Sequence, residues 1–148
     1  MAHTNIIGDM GKLLASTYTL YLKTQNFHWN VTGPFFQTLH LMFEEQYTAL
    51  ALANDGIAER IRALGAPAPA TYAEYSQLSI ITEPQGKQSA ERMVEMLLQD
   101  HEKIISFTKK LLIKATDQGD EGTADILTTR ISDQEKTAWM LRSFLDKG

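Results

Sequence analysis

The sequence predicts an all-α protein: a bundle of four long helices with one long crossover that carries a short helix. Apolar residues recur at helical intervals in four long segments, and the breaks between these segments contain glycine and proline. The first and last connections are short and the middle one is long, which distinguishes this bundle from a simple up-down-up-down arrangement. We expect one domain spanning residues 1–148, because a chain of this length needs only one core.

The first two helices are predicted by periodicity and by the residues that stop them. Apolar positions at helical spacing run from Asn5 to about Trp29, and the sequence TGP then breaks the pattern. The second helix runs from about Phe35 to Leu64 and stops at GAPAPA, because its glycine and prolines cannot continue a helix. The short link predicts that these two helices are antiparallel neighbours.

The crossover and the last two helices follow from the same pattern. The crossover contains a short helix near Tyr72–Leu78 and is long enough to traverse the bundle. A third long helix is predicted at about Lys87–Ala115 and a fourth at about Glu121–Leu145. The turn DQGDE joins them, with Asp120 as the expected N-cap.

Composition excludes several classes of protein. The chain has no cysteine, so disulfides, thiolate zinc sites and thiol catalysis are excluded, and imidazole and carboxylate are the strong metal ligands that remain. No apolar run approaches the roughly 20 residues that a membrane span needs. The first residues lack the pattern of an export signal, so we expect a cytoplasmic protein. The net charge of -4 argues against binding nucleic acid.

The second helix carries a stripe of possible metal ligands, His40, Glu44, Asp55 and Glu59. On a helical wheel they fall within an arc of about 100°, away from the apolar face that packs into the bundle. His40 and Asp55 are nonetheless about 22 Å apart along the axis, whereas metal bonds to nitrogen and oxygen are about 2 Å long. One copy of the chain therefore cannot close these residues around one ion.

A second copy of the chain would solve this problem of distance. If its second helix packs antiparallel across a two-fold axis, its Asp55 and Glu59 come level with His40 and Glu44, which creates two equivalent sites. The small residues Thr48, Ala51 and Ala58 allow the close approach. His28, near the end of the first helix, is expected beside His40, since the link between the helices is short.

The donor set alone does not name the metal. Two histidines and three carboxylates suit iron or manganese with open coordination positions, and also zinc. The alternative is a solvated helix face, on which Glu59 forms surface ion pairs with Arg60 or Arg62.

The segments NFHWNVTGPFFQTLHLMFEEQY, IAERIRALG and EKTAWMLRSFL closely resemble the Dps family, the dodecameric mini-ferritins, and the similarity covers almost the whole chain. The resemblance implies a ferritin-like four-helix bundle with a ferroxidase centre between two-fold related subunits. It assigns the metal-ligand roles, residue by residue, to His28, His40 and Glu44 of one chain and to Asp55 and Glu59 of its neighbour. Relatives commonly carry Asp where Glu44 stands, which puts the iron spacing and affinity in question.

The same resemblance implies the function. Members oxidise Fe(II), preferentially with hydrogen peroxide, store ferric mineral in a hollow homo-dodecamer and so protect against oxidative stress. Trp29 matches a tryptophan that the family places near the iron, where it traps oxidising equivalents; core packing is the alternative for this side chain. Zinc or manganese are possible competing occupants.

Further residues are assigned by resemblance or by pattern. Four acids resemble the lining of the family's three-fold pores, with helix capping or loop solubility as the alternative: Asp117, Asp120, Glu121 and Asp125. His101 lies in register with apolar residues, so we expect a buried, hydrogen-bonded histidine rather than a ligand. His3 is terminal and expected to be disordered. Thr137 stands where some relatives carry a histidine, and it is given no iron role.

DNA binding is expected to be weak or absent. Members of the family that condense DNA often use a lysine-rich tail, whereas here no lysine or arginine precedes the first helix and only Lys147 follows the last one.

Two rival classes remain open at the level of sequence. A classical ferritin or bacterioferritin holds its di-iron site inside each bundle with Glu-x-x-His motifs, and no histidine here follows a glutamate at that spacing. A non-catalytic structural or interaction bundle, with the acidic stripe solvated or used in packing, is the alternative from another class.

Overall fold

Five helices form the fold in the computed structural model, which describes the backbone of residues 2–148 and the side chains of residues 6–148. The helices are α1 (Ala2–Asn30), α2 (Phe36–Ala63), α3 (Tyr72–Leu78), α4 (Ala90–Asp117) and α5 (Glu121–Leu145). This arrangement confirms the all-α prediction, and no strand occurs within residues 2–148. The expectation for His3 concerns a side chain outside the described residues.

Local interactions set the helix ends close to their predicted positions. Helix α4 begins later than expected because the Ser89 side chain caps it, accepting a hydrogen bond from the Arg92 N–H at 3.1 Å. The Asp120 side chain caps α5 by accepting from the Thr123 N–H, as predicted. Gly65 ends α2 with a φ of 101°, a left-handed conformation that glycine adopts without strain.

The helices pack as two pairs. Helix α1 lies against α2 and α4 lies against α5, while α1 also contacts α4 and the short helix α3. The core between them is aliphatic with a few phenylalanines and methionines, and its fully buried members include Ile6, Met10, Leu20, Phe27, Leu39, Phe43, Ile57, Met93 and Leu97. None of the described helices is long and apolar enough to cross a membrane.

Buried polar contacts fix the long crossover to α1. Lys23 Nζ donates to the carbonyl of Thr82 at 2.9 Å and forms an ion pair with Asp100 of α4 at 2.7 Å. The Ile80 N–H donates to Ser16 Oγ at 2.9 Å. The crossover therefore holds α1 in place from outside the bundle, and α1 in turn positions the turn to α2.

Candidate metal centre

The turn between α1 and α2 brings His28 and His40 face to face. His28 Nδ1 lies 2.7 Å from the carbonyl oxygen of His40, and His40 Nδ1 lies 2.7 Å from the carbonyl oxygen of His28. The rings stack with centroids 3.9 Å apart and planes inclined by 12°. Gly33 permits this turn with a φ of 106°. The short link thus places the two histidines together, as the sequence predicts.

These reciprocal contacts define the protonation of both rings. A carbonyl oxygen only accepts hydrogen bonds, so each Nδ1 carries the proton and donates it. In the neutral imidazole this leaves the lone pair on Nε2 of His28 and of His40. Metal-binding histidines characteristically hold their second nitrogen in such a bond, which fixes the ring and makes the free nitrogen a better donor. The pair therefore offers two oriented nitrogen ligands.

The predicted carboxylates are exposed along α2. Glu44, Asp55 and Glu59 all lie on the surface of the single chain, and within the described residues none of them forms an ion pair. Arg60, the expected alternative partner of Glu59, instead donates to Asp120 at 2.8 Å and to Thr123 at 3.0 Å. The interpretation that Arg60 neutralises Glu59 is therefore wrong, and the carboxylate stripe is open to other partners.

A single chain does not assemble these residues into one site. Among the described side chains, residues 6–148, no group of three histidine, aspartate or glutamate side chains could hold a metal ion. This agrees with the length of α2, which separates His40 from Asp55 by about 22 Å. Sharing of the site between two subunits stays a prediction.

Two aromatic side chains border the histidine pair and were not singled out by the sequence. Phe36 stacks on His40 with centroids 5.0 Å apart, and Tyr47 meets His28 edge-on at 5.2 Å. The spacing could have revealed Tyr47, because it lies two helical turns beyond His40 and so shares its face of α2. Both rings shield the histidines from water on the side of their own chain.

Trp29 does not pack into the core. Its side chain is 63% exposed, while the adjacent His28 is only 6% exposed. Two helical positions separate Trp29 from the buried Phe27, a rotation of about 200° that turns the indole to the opposite side of α1. The core-packing alternative is therefore wrong, and a role for Trp29 beside the iron remains a prediction.

The four acids expected at a pore divide into two groups. Asp120 is buried, caps α5 and pairs with Arg60. Burial opposes its ionisation, but hydrogen bonds from Thr123 and Arg60 outweigh burial and lower its pKa. Asp120 is thus a structural carboxylate rather than an open one. The other three, Asp117, Glu121 and Asp125, are exposed.

The fourth histidine lies inside the bundle. His101 is 1% exposed, and its Nδ1 lies 3.2 Å from Gln134 Nε2. Its Nε2 has no hydrogen-bond partner among the described residues. Burial, reinforced by the nearby Arg130, lowers the pKa of His101 to about 3. The prediction of a buried histidine is confirmed, although only one of its two nitrogens is hydrogen-bonded.

Comparison with known proteins identifies the class. The chain matches the Ferritin-like domain family over residues 9–148, so the bundle is a ferritin-like domain. It is 43% identical over 142 residues to DNA protection during starvation protein 2 of Bacillus anthracis, an alignment that covers 96% of this chain and 97% of the relative. The chain belongs to the Dps family of ferritin-like proteins.

Solved structures agree with this assignment. A Dps protein from Bacillus brevis is 36% identical and superposes with a TM-score of 0.95, covering 98% of this chain and 97% of that one. The Dps protein of Vibrio cholerae O1, described as a member of a broad superfamily of ferritin-like diiron-carboxylate proteins, is 31% identical with a TM-score of 0.95, covering 98% and 91%. The predicted ferritin-like connectivity is confirmed.

Proposed function

We propose that this protein is an iron-storage and detoxification mini-ferritin, a ferroxidase that oxidises Fe(II), preferentially with hydrogen peroxide, and stores ferric mineral in a hollow homo-dodecamer. Membership of the Dps family supports a role in iron storage and protection against oxidative stress. The observation that carries the proposal is the reciprocal bonding of His28 and His40, which leaves two oriented nitrogen donors beside an open row of carboxylates.

In the proposed centre, iron is the substrate and the residues of two chains hold it. His28, His40 and Glu44 bind from one subunit, and Asp55 and Glu59 of the partner subunit complete the set. Three carboxylates offset most of the charge of two ferrous ions and stabilise the ferric product, and five protein donors shared between two ions leave positions open for oxidant. Manganese or zinc fits the same donors and competes with iron.

The proposed reaction consumes peroxide without releasing a radical. One hydrogen peroxide, two Fe(II) ions and two protons give two Fe(III) ions and two water molecules. Because the two electrons come from two neighbouring ferrous ions, no hydroxyl radical is left over. Trp29, exposed next to His28, is placed to trap oxidising equivalents that escape the centre.

The exposed acids at the α4–α5 turn support entry of iron into a shell. Asp117, Glu121 and Asp125 concentrate negative charge in one short region, which raises the local concentration of cations. Together with the net charge of -4, these acids also disfavour DNA. We expect the assembled protein to act in the cytoplasm.

The test is anaerobic loading with Fe(II) followed by a pulse of hydrogen peroxide, with ferric absorbance as the readout. Wild-type protein should oxidise iron well above the rate in buffer, and the His28→Ala, His40→Ala double variant should fall to the buffer rate. A second pair avoids disturbing the turn: Glu44→Ala should slow oxidation, whereas Glu45→Ala removes a neighbouring exposed carboxylate and should not.

A non-catalytic bundle predicts the opposite results. It gives no saturable Fe(II) binding, the same oxidation rate in wild type as in buffer, and no difference between the Glu44→Ala and Glu45→Ala variants. Either of the first two results would overturn the ferroxidase proposal.

DNA binding provides a separate check on the charge argument. A gel-shift assay at low salt and neutral pH should show weak or no retardation of duplex DNA, since the net charge of -4 repels the phosphates. Tight binding under those conditions would contradict the account.

A further inference from the structure

A continuous line of aromatic rings leads away from the histidine pair along the outside of α1. Starting from His28, the centroid of Tyr47 is 5.2 Å away, and Tyr21 lies 5.9 Å beyond Tyr47. Tyr18 follows at 5.4 Å and Tyr75 of α3 at 4.8 Å. Every step lies within the 4.5–7 Å range of direct aromatic contact.

This line uses four of the chain's five tyrosines, since the sequence contains only Tyr18, Tyr21, Tyr47, Tyr72 and Tyr75. All four rings of the line are half-buried, so each is partly shielded from solvent and partly accessible to it. Phenylalanine would fill such positions with nearly the same volume, so packing alone does not call for phenols. From His28 to Tyr18 the line runs ten residues along α1, or about 15 Å.

Tyrosine differs from phenylalanine in that it can give up one electron together with its phenolic proton. Burial, followed by the nearby Tyr72 and Tyr21, raises the pKa of Tyr18. Burial, followed by Tyr18 and Glu74, raises the pKa of Tyr75. Both phenols are therefore protonated at neutral pH, so oxidation of either ring removes a proton as well as an electron.

We propose that Tyr47, Tyr21, Tyr18 and Tyr75 form a relay that carries single oxidising equivalents from the iron centre to the Tyr18–Tyr75 pair. This inference rests on the proposed ferroxidase function. It applies when peroxide meets a centre that holds one ferrous ion instead of two. The iron then supplies one electron, and the relay supplies the second.

The first step balances as follows: one hydrogen peroxide, one Fe(II), one tyrosine and one proton give one Fe(III), one tyrosyl radical and two waters. The phenolic hydrogen of Tyr47 ends in water. Each later step exchanges one electron and one proton between neighbouring phenols, so Tyr21 restores Tyr47 and becomes the radical in turn. The oxidising equivalent thereby moves away from the iron ligands.

The end of the relay opens on a groove of about 890 Å³ between α1, α3 and the crossover. Tyr18, Tyr75 and Tyr72 line it, and Tyr72 is 78% exposed. A radical on the Tyr18–Tyr75 pair is therefore accessible to small molecules, whereas a radical on Tyr47 would lie next to the iron site. The nitroso spin trap 2-methyl-2-nitrosopropane is small enough to serve as the probe.

The experiment loads the assembled protein anaerobically with one Fe(II) per chain, adds hydrogen peroxide and the trap, and maps adducts by peptide mass spectrometry. Wild-type protein should carry adducts on Tyr18 and Tyr75. Tyr21→Phe keeps the ring but cannot pass a hydrogen, so adducts on Tyr18 and Tyr75 should be lost. Tyr72→Phe is the matched control: it removes a phenol from the same groove, and adducts on Tyr18 should persist.

Two results would overturn the relay while leaving the ferroxidase function intact: normal iron oxidation with no adduct on Tyr18 or Tyr75 in wild type, or adducts on Tyr75 that are equal in wild type and Tyr21→Phe. The second result would mean that the radical reaches Tyr75 through solution. If wild-type protein oxidises no iron with peroxide, the proposed function fails first and the relay fails with it.

Discussion

The His28–His40 pair and His101 show how one residue type is prepared for opposite uses. In the pair, each Nδ1 donates to a backbone carbonyl 2.7 Å away and each Nε2 is left free at the edge of the bundle. His101 is enclosed between α4 and α5, with Gln134 as its hydrogen-bond partner and a pKa lowered to about 3. The pair offers ligands, whereas His101 stays neutral inside the core.

The difference comes from the backbone rather than from the side chains. The turn around Gly33 brings the last turn of α1 against the start of α2, where the carbonyl of each histidine accepts from the ring of the other. His101 faces the side chains of α5 rather than a backbone carbonyl, so its hydrogen-bond partner is Gln134, and its Nε2 has no partner among the described residues. The close approach of two helix ends therefore orients the pair as ligands, whereas the position between two long helices encloses His101.

The largest expected effect is on the rate of iron oxidation when a ligand residue is removed. His40→Ala and Asp55→Ala should each slow peroxide-driven iron oxidation about 100-fold, and the double variant should be no slower than either single variant, because residues that act as one unit are not additive. The measurement is the initial rate of ferric absorbance. Effects that multiply in the double variant would show that the two residues serve separate sites.

A smaller effect concerns the pH dependence of stability that comes from the buried His101. Native His101 stays neutral down to about pH 3, whereas an unfolded histidine takes up a proton near pH 6.5. The contribution of neutral His101 to the free energy of unfolding is therefore fully present above pH 6.5. It decreases as the pH falls toward 3, and the loss is about 2 kcal/mol at pH 5. Urea unfolding of wild type and His101→Gln at pH 7 and pH 5, at one protein concentration, measures this pH-dependent contribution of His101. The variant should lose about 2 kcal/mol less between the two pH values; equal losses would contradict the assignment.

The smallest effect refines the ligand geometry. Glu44→Asp shortens an exposed carboxylate by one methylene but keeps its charge, so iron oxidation should change by less than about tenfold. Glu44→Gln keeps the length and removes the charge, so it should slow oxidation more than Glu44→Asp does. The reverse order would mean that reach, not charge, governs this position.

The fold was predictable because its signals are local. Apolar periodicity gave the long helices, and GAPAPA and Asp120 marked where α2 ends and α5 begins. The start of α4 was less certain, because the periodic pattern extends past the point where Ser89 caps the helix. Helix ends depend on single hydrogen bonds, whereas helix existence depends on many residues.

The site was predictable only in part. Spacing placed His40, Glu44, Asp55 and Glu59 on one face, and the short link placed His28 near His40. The reciprocal carbonyl bonds depend on the exact path of the turn, which no periodicity encodes. The exposure of Trp29 was predictable from its helical angle to Phe27. The ion pair of Arg60 with Asp120 was not, because it joins residues that are distant in the sequence.

Sharing of the centre between subunits is the central claim, and mixing two inactive chains tests it most directly. His40→Ala and Asp55→Ala proteins, disassembled and reassembled together in equal amounts, should regain about a quarter of wild-type iron oxidation: half of the two-fold pairs are mixed, and each mixed pair restores one of its two centres. Each variant reassembled alone should stay inactive. No recovery in shells shown by mass to contain both chains would contradict a shared centre.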